Sequence, residues 1–342
     1  QLFQRYLSDE AFIEAEYEEF QKTLAAKGVT SIKEIGFDDY SGFTRSLKKL
    51  EDGKKLLHRV NLVSQPVAKE PDFEYAERCG KEFTGEYVKF MGFNIMVDGE
   101  ICGGEGDLLE PYANGCTPEE PDYEEIEKTL IKADRLGIRC ALHAEGDRAV
   151  RRTVDMIEQA AKVNQTAGRR HAIIDLEMTH REDIERMARL GITAINYLQM
   201  MNCYPEYEGF YTEYIGEERL KNIWRYKDQA EAGVNYCTGT DLPLDVPDVP
   251  ASIRFAVGRR FPDGKPEGGF QMGQAFTTAQ VLKAWTVNGQ YANFEEERLG
   301  TLAQGKLADI AVFDRNIFKS SVEDMAEASV ILTIFDGKVI YE

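Results

Sequence analysis

The sequence predicts an α/β fold: a (β/α)8-type barrel with about seven strands in this chain, followed by a small β-sandwich portion. Three observations predict it. Strand-like and helical runs alternate from residue 29 to residue 238, the pattern of a parallel sheet covered by helices. The chain has 342 residues, more than the roughly 250 of such a barrel. The tail then changes to short strands set between glycine turns.

In order along the chain, residues 9–27 carry Phe12, Ala15, Phe20 and Leu24 at near-helical spacing, and Gly28 supplies a stop. Strands are predicted at 29–37, 56–64, 87–97, 138–143, 172–178, 192–198 and 234–238. Helices are predicted at 123–136, 149–163, 181–190 and 217–232. A closed barrel takes eight strands, so the expectation is that a first strand lies upstream of Gln1 or comes from a companion segment. After a helix at 277–293, Gly300 and Gly305 precede a short strand. Residues 328–335 and 338–341 flank Asp336-Gly337, a hairpin signal. The predicted domains are a barrel over 1–295 and half of a β-sandwich over 296–342.

Hydrophobic residues make up 43% and charged residues 30% of the chain, ordinary for a soluble domain with a large core. A net charge of −19 repels phosphate backbones, which argues against nucleic acid as a partner. No run approaches the roughly 20 apolar residues of a membrane span. Gln1-Leu2-Phe3-Gln4-Arg5 has neither a signal-peptide pattern nor a Met, so the chain is expected to begin in mid-protein. The six cysteines form no CxxC pair and read as reduced thiols, the expectation for a cytoplasmic protein.

Four segments carry a family resemblance. They are "LHAEGDRAV" (142–150), "GTDLPLDVP" (239–247), "TVNGQYANFEEERLG" (286–300) and the tail "RLGTLAQGKLADIAVFD" with "VILTIFDGKVIYE". Together they resemble the amidohydrolase superfamily, in its family 3 branch that contains N-substituted formamide deformylase. The resemblance implies a TIM-like metal-dependent hydrolase barrel, with a His-x-His metal motif on a strand upstream of this chain. It also implies a hydrolase of C–N bonds in small amides or cyclic amides.

Residue by residue, the resemblance makes His143 a metal ligand at a strand end, where barrel active sites form. Asp241 becomes both a metal contact and the general base for a metal-activated water. Two positions depart from the family pattern. At the fourth strand the pattern resembles Lys-x-x-x-Asp-Gly, and Asn94 stands at the lysine position, four before Asp98. An amide forms no carbamate, so Asn94 is expected to touch substrate instead. Lys89 lies five residues before Asn94, an odd offset that points it to the other face of a regular strand.

At the sixth strand the pattern resembles Arg-His-x-Ile-Glu-His, and Asp175 stands at the last histidine position. A carboxylate there still suits a hard divalent ion. Gln199 matches a position near the substrate pocket, while His58, His171 and His180 are expected to be structural. The expected cofactor is one divalent ion, Zn²⁺ with Mn²⁺ or Fe²⁺ as alternatives. The expected partners are a small-molecule substrate and a second copy or a companion N-terminal segment. Two other readings stay open. One is a catalytically altered or inactive member; the other is an isomerase or lyase using Asp241 and Asp175 as acid and base.

Overall fold

Asp9 opens helix α1 (Glu10–Ala26) by accepting a hydrogen bond from the Phe12 amide, and Gly28, at φ 75°, ends the turn that follows. The computed structural model describes residues 8–37, 41–66, 70–207, 209 and 211–342. The N-terminal pentapeptide read above for a leader therefore lies outside the described residues. The chain divides into two compact units. The first comprises Gln1–Ile95, Glu297–Arg315 and Ser329–Glu342; the second comprises Met96–Glu296 and Asn316–Ala328.

The first unit continues as β1 (Ser31–Phe37), α2 (Ser41–Asp52), β2 (Arg59–Gln65), α3 (Phe73–Glu82) and β3 (Val88–Met96). The three strands pair in parallel. Val60, Leu62 and Val88 of the sheet pack on Tyr17, Leu47 and Leu50 of the helices, the one-sided burial that binds helices to a sheet. The β2–β3 register shifts at Leu62/Val63, where Phe90 and Gly92 are the successive partners and Met91 is the extra residue. This β-bulge corrects the expected facing of Lys89. Lys89 pairs with Asn61, and the Asn94 amide bonds Gln65 at 2.6 Å. Asn61 and Gln65 share a face of β2, so the extra residue brings Lys89 and Asn94 to one face despite their odd offset.

The second unit runs α4 (Tyr123–Arg135), β4 (Arg139–His143), α5 (Asp147–Asn164), β5 (Ala172–Ile174), α6 (Arg181–Leu190), β6 (Thr193–Asn196), α7 (Tyr226–Ala232) and β7 (Asn235–Thr238). It continues through α8 (Val249–Gly258), α9 (Thr278–Trp285) and α10 (Val287–Ala292). Strands β4 to β7 pair in parallel, each with the next in chain order. With β1 to β3, the parallel strands among the described residues number seven, as the alternation predicts. Ala141, Ala172, Ile174, Ile195 and Cys237 pack together from four of these strands.

Three predicted elements stop early or break for a local reason that the structure shows. Strand 172–178 stops at Ile174, because Asp175 takes a left-handed backbone with φ 56°. Helix 217–232 breaks at Trp224, φ 48°, whose amide bonds the Glu177 carbonyl at 2.9 Å instead of a helical neighbour. Helix 277–293 breaks at Thr286, whose hydroxyl bonds the Leu282 carbonyl at 2.6 Å, a side-chain contact that competes with the helical ladder.

The tail returns to the first unit as β8 (Ile310–Phe313), β9 (Val330–Phe335) and β10 (Lys338–Tyr341), an antiparallel sheet in the order β10-β9-β8. Asp336 and Gly337 turn the hairpin with φ 47° and 77°, as a two-residue turn of this type requires. The Thr333 hydroxyl bonds the Ala25 carbonyl at 2.7 Å, and Arg59 pairs with Asp309. These contacts tie the tail sheet to α1 and to the start of β2.

Candidate metal centre

A tight turn follows β4, and Asp98 organises it. The Asp98 carboxylate accepts backbone amides of Asp107 (2.9 Å), Glu145 (3.0 Å) and Gly146 (2.9 Å). Gly146 allows this approach, since a Cβ there would stand 2.2 Å from the Asp107 carbonyl oxygen. Burial pushes the Asp98 carboxyl up to about 6, against the pull of its three amide donors. The turn leaves His143 and Glu145 at the C-terminal end of β4, with α5 starting just beyond.

The His143 Nδ1 lies 3.0 Å from the Asp98 carbonyl oxygen. A carbonyl can only accept, so Nδ1 carries a proton and donates. Nε2 is thereby aimed at two carboxylates, Asp175 at 3.2 Å and Glu145 at 3.6 Å. The donor atoms of His143, Glu145 and Asp175 all lie within 4.8 Å of one another, and all three residues are buried. Burial disfavours the imidazolium, but the contacts with Asp175 and Glu145 outweigh it and hold the His143 pKa well above its ordinary value. Burial first, then repulsion by Asp175, pushes the Glu145 carboxyl up to about 8.

A third acid, Glu177, is buried close by and hydrogen-bonds the Tyr211 hydroxyl, which in turn meets the Tyr204 hydroxyl at 2.8 Å. Burial, then the charges of Glu145 and Asp175, raises the Glu177 carboxyl far above the usual range.

One imidazole and two carboxylates suit a divalent ion in their chemistry. Donors bonded tetrahedrally at about 2.1 Å to one ion stand about 3.4 Å apart, so the widest pair of this set needs to close by at most about 1.4 Å. The residues therefore fit a metal of the hydrolase type.

The other predicted residues fall in several places. Asp241 follows β7 as an exposed residue with a left-handed backbone, φ 47°, and stands outside the three-donor cluster. Burial raises the Tyr197 hydroxyl pKa, and the charges of Asp175 and Asp241 raise it further. Gln199 is buried, donates to the Val246 carbonyl at 3.0 Å and accepts from the Asp248 amide at 2.8 Å. It thus pins the segment that follows Asp241. Asn94 belongs to the first unit, where Lys33 donates to its amide oxygen at 3.2 Å.

The three other histidines have structural partners. His58 meets the Tyr17 hydroxyl at 2.9 Å, and His180, at the position just before α6, pairs with Asp147 at 2.8 Å. His171 accepts the Cys140 amide at Nδ1, so its Nε2 proton faces Asp134 at 3.2 Å. A cavity of about 430 Å³ opens among helices of the second unit, lined in part by Gly191, Tyr236, Lys283 and Asn288. None of the site residues lines it.

Sequence reasoning missed Glu145, Glu177 and the turn-holding role of Asp98. The available signal was the run "HAEGD", which sets a carboxylate two residues beyond His143, past the strand end.

The fold is that of the TIM-like α/β barrels of the amidohydrolases. The chain belongs to the amidohydrolase family, whose family model matches residues 2–341. YtcJ of Bacillus subtilis (strain 168), an amidohydrolase by name, is 24% identical over 315 residues, 90% of this chain and 56% of its own length. The N-substituted formamide deformylase of Arthrobacter pascens is 26% identical over 224 residues, 64% of this chain and 39% of its own length. The chain thus spans about half the length of such relatives. Among solved structures, an uncharacterized metal-dependent hydrolase from Pyrococcus horikoshii OT3 superposes with a TM-score of 0.74 at 20% identity, covering 92% of this chain and 62% of its own. That likeness shows the fold. Among the described residues no helix is long and apolar enough to cross a membrane, and no disulfide is present.

Proposed function

We propose that the chain forms the greater part of a hydrolase that cleaves C–N bonds of small amides or cyclic amides. The observation that carries this reading is the buried, ligand-type cluster at the strand ends of an amidohydrolase-family chain. The relative that is a deformylase by name supports an amide as substrate. His143 and Asp175 would hold a divalent ion, Zn²⁺ or else Mn²⁺ or Fe²⁺. When bound, such an ion polarises a carbonyl and lowers the pKa of a water to about 7.

The remaining work falls to side chains. The Asp98 carbonyl fixes the His143 tautomer and ring direction. Asp241, exposed on its loop, accepts a proton and returns it to the leaving nitrogen. Gln199 sets the path of that loop through Val246 and Asp248. The substrate is a small molecule.

A panel of N-substituted formamides and cyclic amides, assayed with the metal-loaded chain, tests the reading. We expect turnover of at least one class. Asp241→Asn should lower kcat about a hundredfold, the low end of general-base effects, with metal content unchanged. Full activity in Asp241→Asn would remove Asp241 from the reaction.

A further inference from the structure

We propose that Glu145 is a third protein ligand, beside His143 and Asp175, of the divalent cation that this site would hold. The inference does not depend on which bond the protein cleaves. All three donors belong to the second unit, and their donor atoms lie within 4.8 Å of one another.

Four observations give these donors the character of a ligand set. First, the Asp98 carbonyl holds the Nδ1 proton of His143, so Nε2 is the nitrogen directed at the acids, the one a cation would meet. Metal-binding imidazoles are oriented in this way by an outer acceptor. Second, the two Glu145 oxygens are divided. Oε2 accepts the Ile101 amide at 2.8 Å, while Oε1 faces His143 Nε2 at 3.6 Å. The carboxylate is thus anchored through one oxygen and presents the other, as a monodentate ligand does.

Third, Asp175 reaches the cluster from a left-handed backbone with φ 56°. Such a conformation costs a non-glycine residue energy and concentrates at functional sites. Fourth, among the described residues neither Glu145 nor Asp175 pairs with a lysine or an arginine, and His143 is their common partner. Buried carboxylates ordinarily find a cation.

Neighbouring acids are committed elsewhere. Asp98 is occupied by three backbone amides, and Glu177 by the Tyr211 hydroxyl.

The test uses the 342-residue chain, stripped of metal with a chelator and titrated with Mn²⁺ and with Co²⁺. Mn²⁺ is followed by electron paramagnetic resonance, and Co²⁺ by its visible absorption. We expect one ion per chain. Glu145→Gln should weaken Mn²⁺ binding at least tenfold, while Glu177→Gln should change it less than about threefold. In the unaltered chain, bound Mn²⁺ should broaden the amide resonances of Ile101, Glu145 and Gly146 before others, a readout that needs no variant to fold. No stoichiometric binding, unchanged affinity in Glu145→Gln, or broadening confined to other residues would each overturn the site. An ion bound as described, with no amide turned over, would leave this site standing and sink the hydrolase reading instead.

Discussion

Replacing Asp98 by Ala should destabilise the second unit by on the order of 5 kcal/mol, since each buried donor left without a partner costs about 1–3 kcal/mol. The Asp98 carboxylate accepts three backbone amides, from Asp107, Glu145 and Gly146. Alanine satisfies none of them. Water is poorly placed to replace the carboxylate, because Gly146 already packs against the Asp107 backbone. Asp98→Asn should lose less, since its carbonyl oxygen still accepts while its NH₂ faces a donor. Urea denaturation of the three proteins decides the matter. A loss below about 1 kcal/mol in Asp98→Ala would mean that the turn holds itself.

Acid should destabilise the first unit through His58. Burial lowers the pKa of this imidazole to about 3, against 6.5 for the ordinary group. Between those two values the unfolded chain binds a proton that the folded chain refuses. The stabilising contribution of neutral His58 is therefore complete above pH 6.5 and lost as pH falls toward 3. The loss reaches about 1.4 kcal/mol per pH unit, near 5 kcal/mol over the whole interval.

Tyr17 faces the ring, and Glu34 acts on Tyr17. Burial pushes Glu34 up to about 7, so its own contribution runs oppositely and is lost as pH rises through that value. Comparing the protein with His58→Gln cancels this term. The difference in unfolding free energy should be flat above neutrality and shrink steadily below pH 6. A difference that stays constant down to pH 4 would show that His58 takes up its proton in the folded state.

Periodicity and turn chemistry made much of the fold legible. Asp336-Gly337 marked the tail hairpin, and the β-α alternation gave seven strands because buried parallel strands and amphipathic helices have distinct apolar spacings. What escaped was set by contacts distant in sequence. The extra residue at Met91 shows only in the pairing of β3 with β2, so counting residues assigned Lys89 to the wrong face. Helix 217–232 failed because Trp224 pairs with Glu177, 47 positions earlier, a partner that no local window contains.

The site was legible to the same extent. His143 could be placed from its motif at a strand end. The position of Glu145 depends on the Ile101 amide and on the approach of Gly146 to Asp107, neither of which leaves a periodic trace.

The division of the chain into units also bears on the order in which it can fold during synthesis. The second unit is nearly continuous, with Met96–Glu296 emerging from the ribosome as one stretch. The first unit joins residues near the start to Ser329–Glu342, and the Thr333 hydroxyl reaches back to Ala25 across 308 positions. Because domains form as units while the chain is made, the half that carries the candidate site can assemble first. The half built from α1, β1 to β3 and the tail sheet waits with an uncovered apolar face until the last residues appear. A nascent chain halted before residue 329 therefore carries a formed candidate site beside an unfinished partner, the state in which it most needs a chaperone.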